Sequence, residues 1–146
     1  MSDEKLLQLY KQADSDFHKA RNELYKPSDD VVTYSACTFS RSSLYHFLSC
    51  LYVHGTKDLD PAIEKGRKTI EELIRYSQEN YPKVNEMDFN PVRCKNKNVK
   101  DVLNDDEIYF CNDAEQIMVC TSLAEQIKEL VIDRVFDGVQ PEIKPF

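Results

Sequence analysis

Arg41 and His46 bracket the string Arg41-Ser42-Ser43-Leu44-Tyr45-His46, an Arg-x4-His pattern. An Arg holds a phosphate through a planar fork of donors, and a His moves a proton near neutral pH, so the two together suit phosphodiester chemistry. On one helix, five residues turn through about 140°, which puts the pair on different faces. The expectation is therefore that Arg41 meets an acidic neighbour or a partner chain and that His46 sits at the edge of the fold. His46, Cys50 and His54 recur every four residues, a spacing that stacks three soft ligands on one helical face as metal sites do. The surrounding Leu and Phe favour packing over ligation, and neither metal nor cofactor is expected. Arg93, Lys95, Lys97 and Lys100 place four cations within eight residues that hold no acid. A phosphate group would be drawn to that run, with Asn96 and Asn98 as further donors, and it is the expected place for any nucleotide contact. Ser35, Ser40, Ser42 and Ser43 crowd one segment with no strained turn to expose a nucleophile, so no Ser/His/Asp set is read from them.

These residues need elements to hold them, and the composition limits the choice. The chain has 146 residues with 3 Gly and 6 Pro, and 19 basic against 26 acidic side chains give a net charge of −7. That is one domain with one core, residues 1–146. No two Gly are closer than 11 residues, which excludes Gly-rich phosphate loops and disfavours hairpin-rich β folds. The charged opening segment has no apolar core of the signal-peptide kind and no run is apolar enough to span a bilayer, so a cytoplasmic protein with no membrane association is expected. Cys37, Cys50 and Cys120 lie inside apolar helical patterns and read as reduced core residues.

Leu6, Tyr10, Ala13, Phe17, Ala20 and Leu24 advance by four, three, four, three and four, the stripe of an amphipathic helix. After Pro27, with Ser28, Asp29 and Asp30 as N-cap oxygens, a second segment carries two stripes, Tyr34, Cys37, Leu44, Leu48, Leu51 and Val32, Ala36, Phe39, Phe47, Cys50. Apolar on most sides, it is predicted as the central helix, stopping near Gly55. A third helix is predicted from Asp60-Pro61 through Ile63, Gly66, Ile70, Leu73 and Ser77 to about Asn80. Residues 81–104 show no sustained period, and a fourth long helix is expected from Asp105, with Phe110, Ala114, Ile117, Thr121, Ala124, Ile127 and Val131 in register and Gly138 beyond it. Tyr25 and Tyr81, beside Pro27 and Pro82, are expected at helix ends, covering the rim or a dimer seam. The fold class is all-α, a four- to five-helix up-and-down bundle.

The order of segments resembles the HEPN domain, a helical nucleotide-binding family. The resemblance runs through Ala20-Arg21-Asn22-Glu23-Leu24-Tyr25, the acidic N-cap, Val31-Val32-Thr33-Tyr34-Ser35-Ala36-Cys37, Leu48-Ser49-Cys50-Leu51-Tyr52-Val53-His54-Gly55, Thr69-Ile70-Glu71-Glu72-Leu73-Ile74 and the closing helix with Ala114 and Ala124, covering about 5–135. It implies a homodimer that binds a nucleotide or RNA, or regulates a partner such as a nucleotidyltransferase or a toxin–antitoxin component. Active members are metal-independent ribonucleases with an Arg and a following His in their last helices. Here no His follows His54, and Arg134 has none downstream. Catalysis is accordingly not expected, with two alternatives: a helical protein–protein interaction module without a small-molecule site, and a ribonuclease with a displaced motif at Arg41 and His46. The cationic run leaves the other residues together at −11 against the chain's −7, so any phosphate ligand is expected to be small and local rather than a broadly bound polyanion.

Overall fold

The stripe of the first helix goes inward as its spacing requires: Leu6, Tyr10, Ala13, Phe17 and Ala20 are all buried. The computed structural model describes residues 2–27, 33–57, 69–92 and 114–141. They form α1 (Ser2–Leu24), α2 (Thr33–Thr56), α3 (Ile70–Asn80), the short α4 (Pro82–Asn85), a 3-10 turn (Asn90–Val92) and α5 (Ala114–Val135), with no strand among them. This is an all-α bundle.

Helix α2 is its axis, packing against α1, α3 and α5. The Cys50 thiol meets the Leu6 carbonyl at 3.8 Å and the Ser42 hydroxyl meets Asp16 at 2.6 Å, so α1 and α2 run antiparallel. Tyr10 against Phe136 and Lys128 against Asp14 set α5 antiparallel to α1 in the same way. The core formed between them includes Leu44, Phe47, Leu48, Leu51, Leu73, Ile74, Ala124, Ile127 and Val131. Cys37, Cys50 and Cys120 are buried free thiols, as their patterns predict. Tyr10 lies edge-on to Phe47 at 5.7 Å and to Phe136 at 5.3 Å. Burial, helped by the nearby charge of Asp14, pushes its hydroxyl up to about 12.

Three details depart from the sequence reading. The third helix does not run through from Pro61, because Thr69 has extended backbone (φ −78, ψ 157) and caps a helix that starts at Ile70. Its hydroxyl accepts from the Glu72 N–H at 3.1 Å while the Glu72 carboxylate accepts from the Thr69 N–H at 3.1 Å, a reciprocal capping box. Thr69→Ala should cost about 1 kcal/mol, read as a lower urea midpoint with an unchanged slope.

Residues 81–92, where the sequence shows no sustained period, fold into α4 and the 3-10 turn and contribute Val84, Phe89 and Val92 to the core. Tyr81 is buried rather than at the rim, and its hydroxyl donates to the Leu51 carbonyl at 3.3 Å. Helix α2 stops near Gly55, as the sequence predicts, though not at the glycine itself. The helix runs on to Thr56 and is closed by Lys57, whose φ of 64 is left-handed and whose N–H returns to the Val53 carbonyl at 2.9 Å. Gly55 is needed for another reason: a Cβ there would overlap the Tyr76 hydroxyl, whose ring stacks edge-on to Tyr52 at 4.9 Å. Beyond α5, Asp137 (φ 54) and Gly138 (φ 83) both take left-handed backbone, and the Gly138 N–H reaches back to the Ile132 carbonyl at 2.8 Å. The predicted N-cap residues 28–30, the segment 58–68 and residues 105–113, predicted to open the last helix, lie outside the described residues.

Candidate functional site

Arg41 and His46 are not brought together. Arg41 donates from Nη1 to the Val92 carbonyl, tying α2 to the 3-10 turn. His46 bonds within its own helix instead. Its Nδ1 lies 2.7 Å from the Ser42 carbonyl and 3.3 Å from the Ser42 hydroxyl, which itself donates to the buried Asp16 at 2.6 Å. A carbonyl only accepts, so Nδ1 carries the proton and the tautomer is set. Asp16, Ser42 and His46 are thus neighbours, but in the wrong order for nucleophilic catalysis. The carboxylate orients the serine rather than the histidine, and the protonated Nδ1 beside the hydroxyl cannot take its proton. The expected acidic neighbour of Arg41 is replaced by a backbone oxygen, a partner no side-chain pattern announces.

The spacing of His46, Cys50 and His54 does not make a metal site. Eight residues of helix separate the two imidazoles by about 12 Å along the axis, far beyond metal–ligand bonds of roughly 2 Å. Cys50 is wholly buried, and burial pushes its thiol well up, away from the thiolate a metal requires. Among the described residues no three His, Cys, Asp or Glu side chains are placed to hold an ion. Arg93, Lys95, Lys97 and Lys100 lie outside the described residues.

A groove that the sequence did not mark lies between the end of α1 and the first half of α5. Phe17, Arg21 and Tyr25 follow one another every four residues, so α1 presents them in a row. The Arg21 guanidinium sits 5.4 Å from the centre of the Phe17 ring and 5.6 Å from that of Tyr25, and donates to the Tyr25 hydroxyl at 3.1 Å. Glu125 stands 4.0 Å away on the opposite wall. From α5 come Met118, Thr121 and Ser122, enclosing about 150 Å³ with the α1 residues. A volume of that order accommodates one benzene-sized ring. Tyr25 is 69% and Met118 52% exposed, both unusual for large apolar groups with this much contact at their base. Leu24 packs on the small cluster Ala36 and Cys37 of α2 with Ile117 of α5.

Comparison with known proteins finds no matching family model, no matching curated protein and no matching solved structure. The groove and its chemistry are what bear on function. The four-residue spacing of Phe17, Arg21 and Tyr25 was the available signal for it. What the spacing lacked was the second wall, since Thr121 and Ser122 reach the groove only once α5 has packed alongside α1.

Proposed function

We propose that this chain is a HEPN-like helical binding module, acting as a homodimer, that takes a nucleotide or a short single-stranded segment of RNA in the groove between α1 and α5. The observation that carries the reading is the exposed Tyr25 ring, held by the Arg21 guanidinium beside Met118 and the hydroxyls of Thr121 and Ser122. An aromatic face is the usual platform for an unstacked base, and a neighbouring guanidinium attracts its phosphate. The cationic run at 93–100 supports the same preference through its charge. The role is binding, or the regulation of a partner through binding, rather than cleavage. Arg41 and His46 face different neighbours, so no acid–base pair is drawn from them.

Titration of the protein with AMP and with a short RNA, followed by tyrosine fluorescence, tests this. Base stacking on an aromatic contributes about 1–3 kcal/mol, so Tyr25→Ala should weaken binding roughly five- to 100-fold. Arg21→Gln should weaken it and reduce its salt dependence. Both side chains are largely outside the core, so thermal stability in the absence of ligand should hardly change. Wild-type protein that binds neither probe, or Tyr25→Ala with full affinity, would refute the proposal. Loss of affinity only on charge reversal of Arg93, Lys95, Lys97 and Lys100 would move the site to that run.

A further inference from the structure

The outward face of α5 is mostly polar, with Ser122, Gln126, Glu129 and Asp133 exposed, but it begins with two adjacent exposed apolar side chains. Val119 is 48% exposed, one residue beyond the exposed Met118. Beside Val119 the helix and the segment around α4 enclose a groove of about 550 Å³, with Met87 and Leu123 among its lining. It leads into a second hollow of about 210 Å³ lined by Met87 again and by Leu130. Lys83, Met87 and Gln126 line both, so the two hollows form one channel along α5. From Val119 to Asp133 it follows about 21 Å of helix, close to four turns.

The channel's charge is one-sided. Glu86, Asp88, Glu129 and Asp133 line it against a single cation, Lys83. Glu86, Asp88 and Glu129 form no ion pair with a described residue, and Asp133 meets only its exposed neighbour Arg134 at 3.8 Å. An apolar floor with a methionine, rimmed by acids, matches the apolar stripe and basic flanks of an amphipathic helix. Nucleic acid is disfavoured by the same acids. A second copy is disfavoured too, because this face of α5 laid on its own copy would bring the Glu129 and Asp133 of both chains together.

We propose that the channel between α4 and the outward face of α5 docks a basic amphipathic helix of a partner protein. Its apolar side chains enter the hollows at Val119, Met87 and Leu130, and its Lys or Arg residues meet Glu86, Asp88 and Glu129. This site lies along the other flank of α5 from the nucleotide groove and shares only Ser122 with it, so either can stand without the other.

The test is fluorescence anisotropy at physiological salt with a labelled synthetic peptide of about five helical turns, Leu at i, i+3, i+4 and i+7 and Lys or Arg elsewhere. A scrambled peptide of the same composition is the control. The helical peptide should bind at least about tenfold more tightly than the scrambled one, and Val119→Asp should abolish most of that difference. Glu129→Lys should weaken binding several-fold and flatten its salt dependence. Tyr25→Ala, which removes the nucleotide platform, should leave peptide affinity unchanged. Equal binding of the two peptides, or full affinity in Val119→Asp with the circular dichroism of the wild type, overturns the proposal. So does sedimentation showing a dimer that Val119→Asp dissociates, since a second copy would then occupy the face.

Discussion

Lys128→Ala is expected to destabilise the protein by about 3 kcal/mol, a large effect for a single lysine. The Lys128 ammonium lies 2.7 Å from Asp14, with only 13% and 10% of the two side chains exposed. It also stands 5.3 Å from the centre of the Phe17 ring. Removing it leaves the Asp14 carboxylate almost out of solvent, with the more exposed His18 at 3.4 Å as its remaining described ion-pair partner. Most of the cost is that stranded charge rather than the loss of an attraction. The double substitution Asp14→Leu with Lys128→Met should therefore recover much of the stability that either loses alone. Urea denaturation of the wild type, both single variants and the double variant measures the coupling. An additive result would mean that the pair is solvated and the argument wrong.

Phe47→Ala should cost about 3–5 kcal/mol and lower the melting temperature by roughly 10 °C. Phe47 is fully buried in the core cluster and lies edge-on to Tyr10. Its loss opens a cavity that α1 and α2 cannot close without parting from their other neighbours. Domains of this size hold about 5–15 kcal/mol in total, so this one residue carries a substantial share. Phe47→Leu, which keeps most of the volume, should cost under about 2 kcal/mol. Calorimetry of the two variants separates cavity formation from a general intolerance of substitution at the site.

The long helices were legible because burying a helix stripe imposes a period on the residues that form it. Leu6 through Ala20, then Ala36, Cys37, Leu44, Phe47, Leu48, Cys50 and Leu51 of the α2 stripes, and Ile117 through Val131 are all buried as their spacing requires. The short elements carry too few residues to establish a period, so Val84, Phe89 and Val92 looked unstructured and proved to be core. The break at Thr69 was written in the sequence as Thr69-x-x-Glu72, a capping box hidden inside an apolar pattern that continued across it. Gly55 was a visible breaker with an invisible purpose, because Tyr76 approaches it from another helix. The same limit governs the candidate site. Arg41 and His46 formed a pattern along the chain, but their partners are chosen by packing. Arg41 bonds a carbonyl 51 residues away, and His46 meets Ser42, whose hydroxyl is committed to a carboxylate on α1.

The bond between Ser42 and Asp16 bears on how α1 and α2 choose their axial alignment. Apolar stripes repeat every turn, so sliding one helix along the other by a turn, about 5.4 Å, would still set apolar groups against apolar groups. The buried Asp16 carboxylate has no such periodicity. It accepts from Ser42 at 2.6 Å and from Gln12 at 3.1 Å, and a slipped α1 would carry Gln12 with it but leave Ser42 behind. The slipped bundle would retain most of its contacts and hold an under-solvated ion, at a cost of several kcal/mol. The hydrophobic seam thus supplies adhesion without a unique position, and one aspartate acts as the detent that selects it.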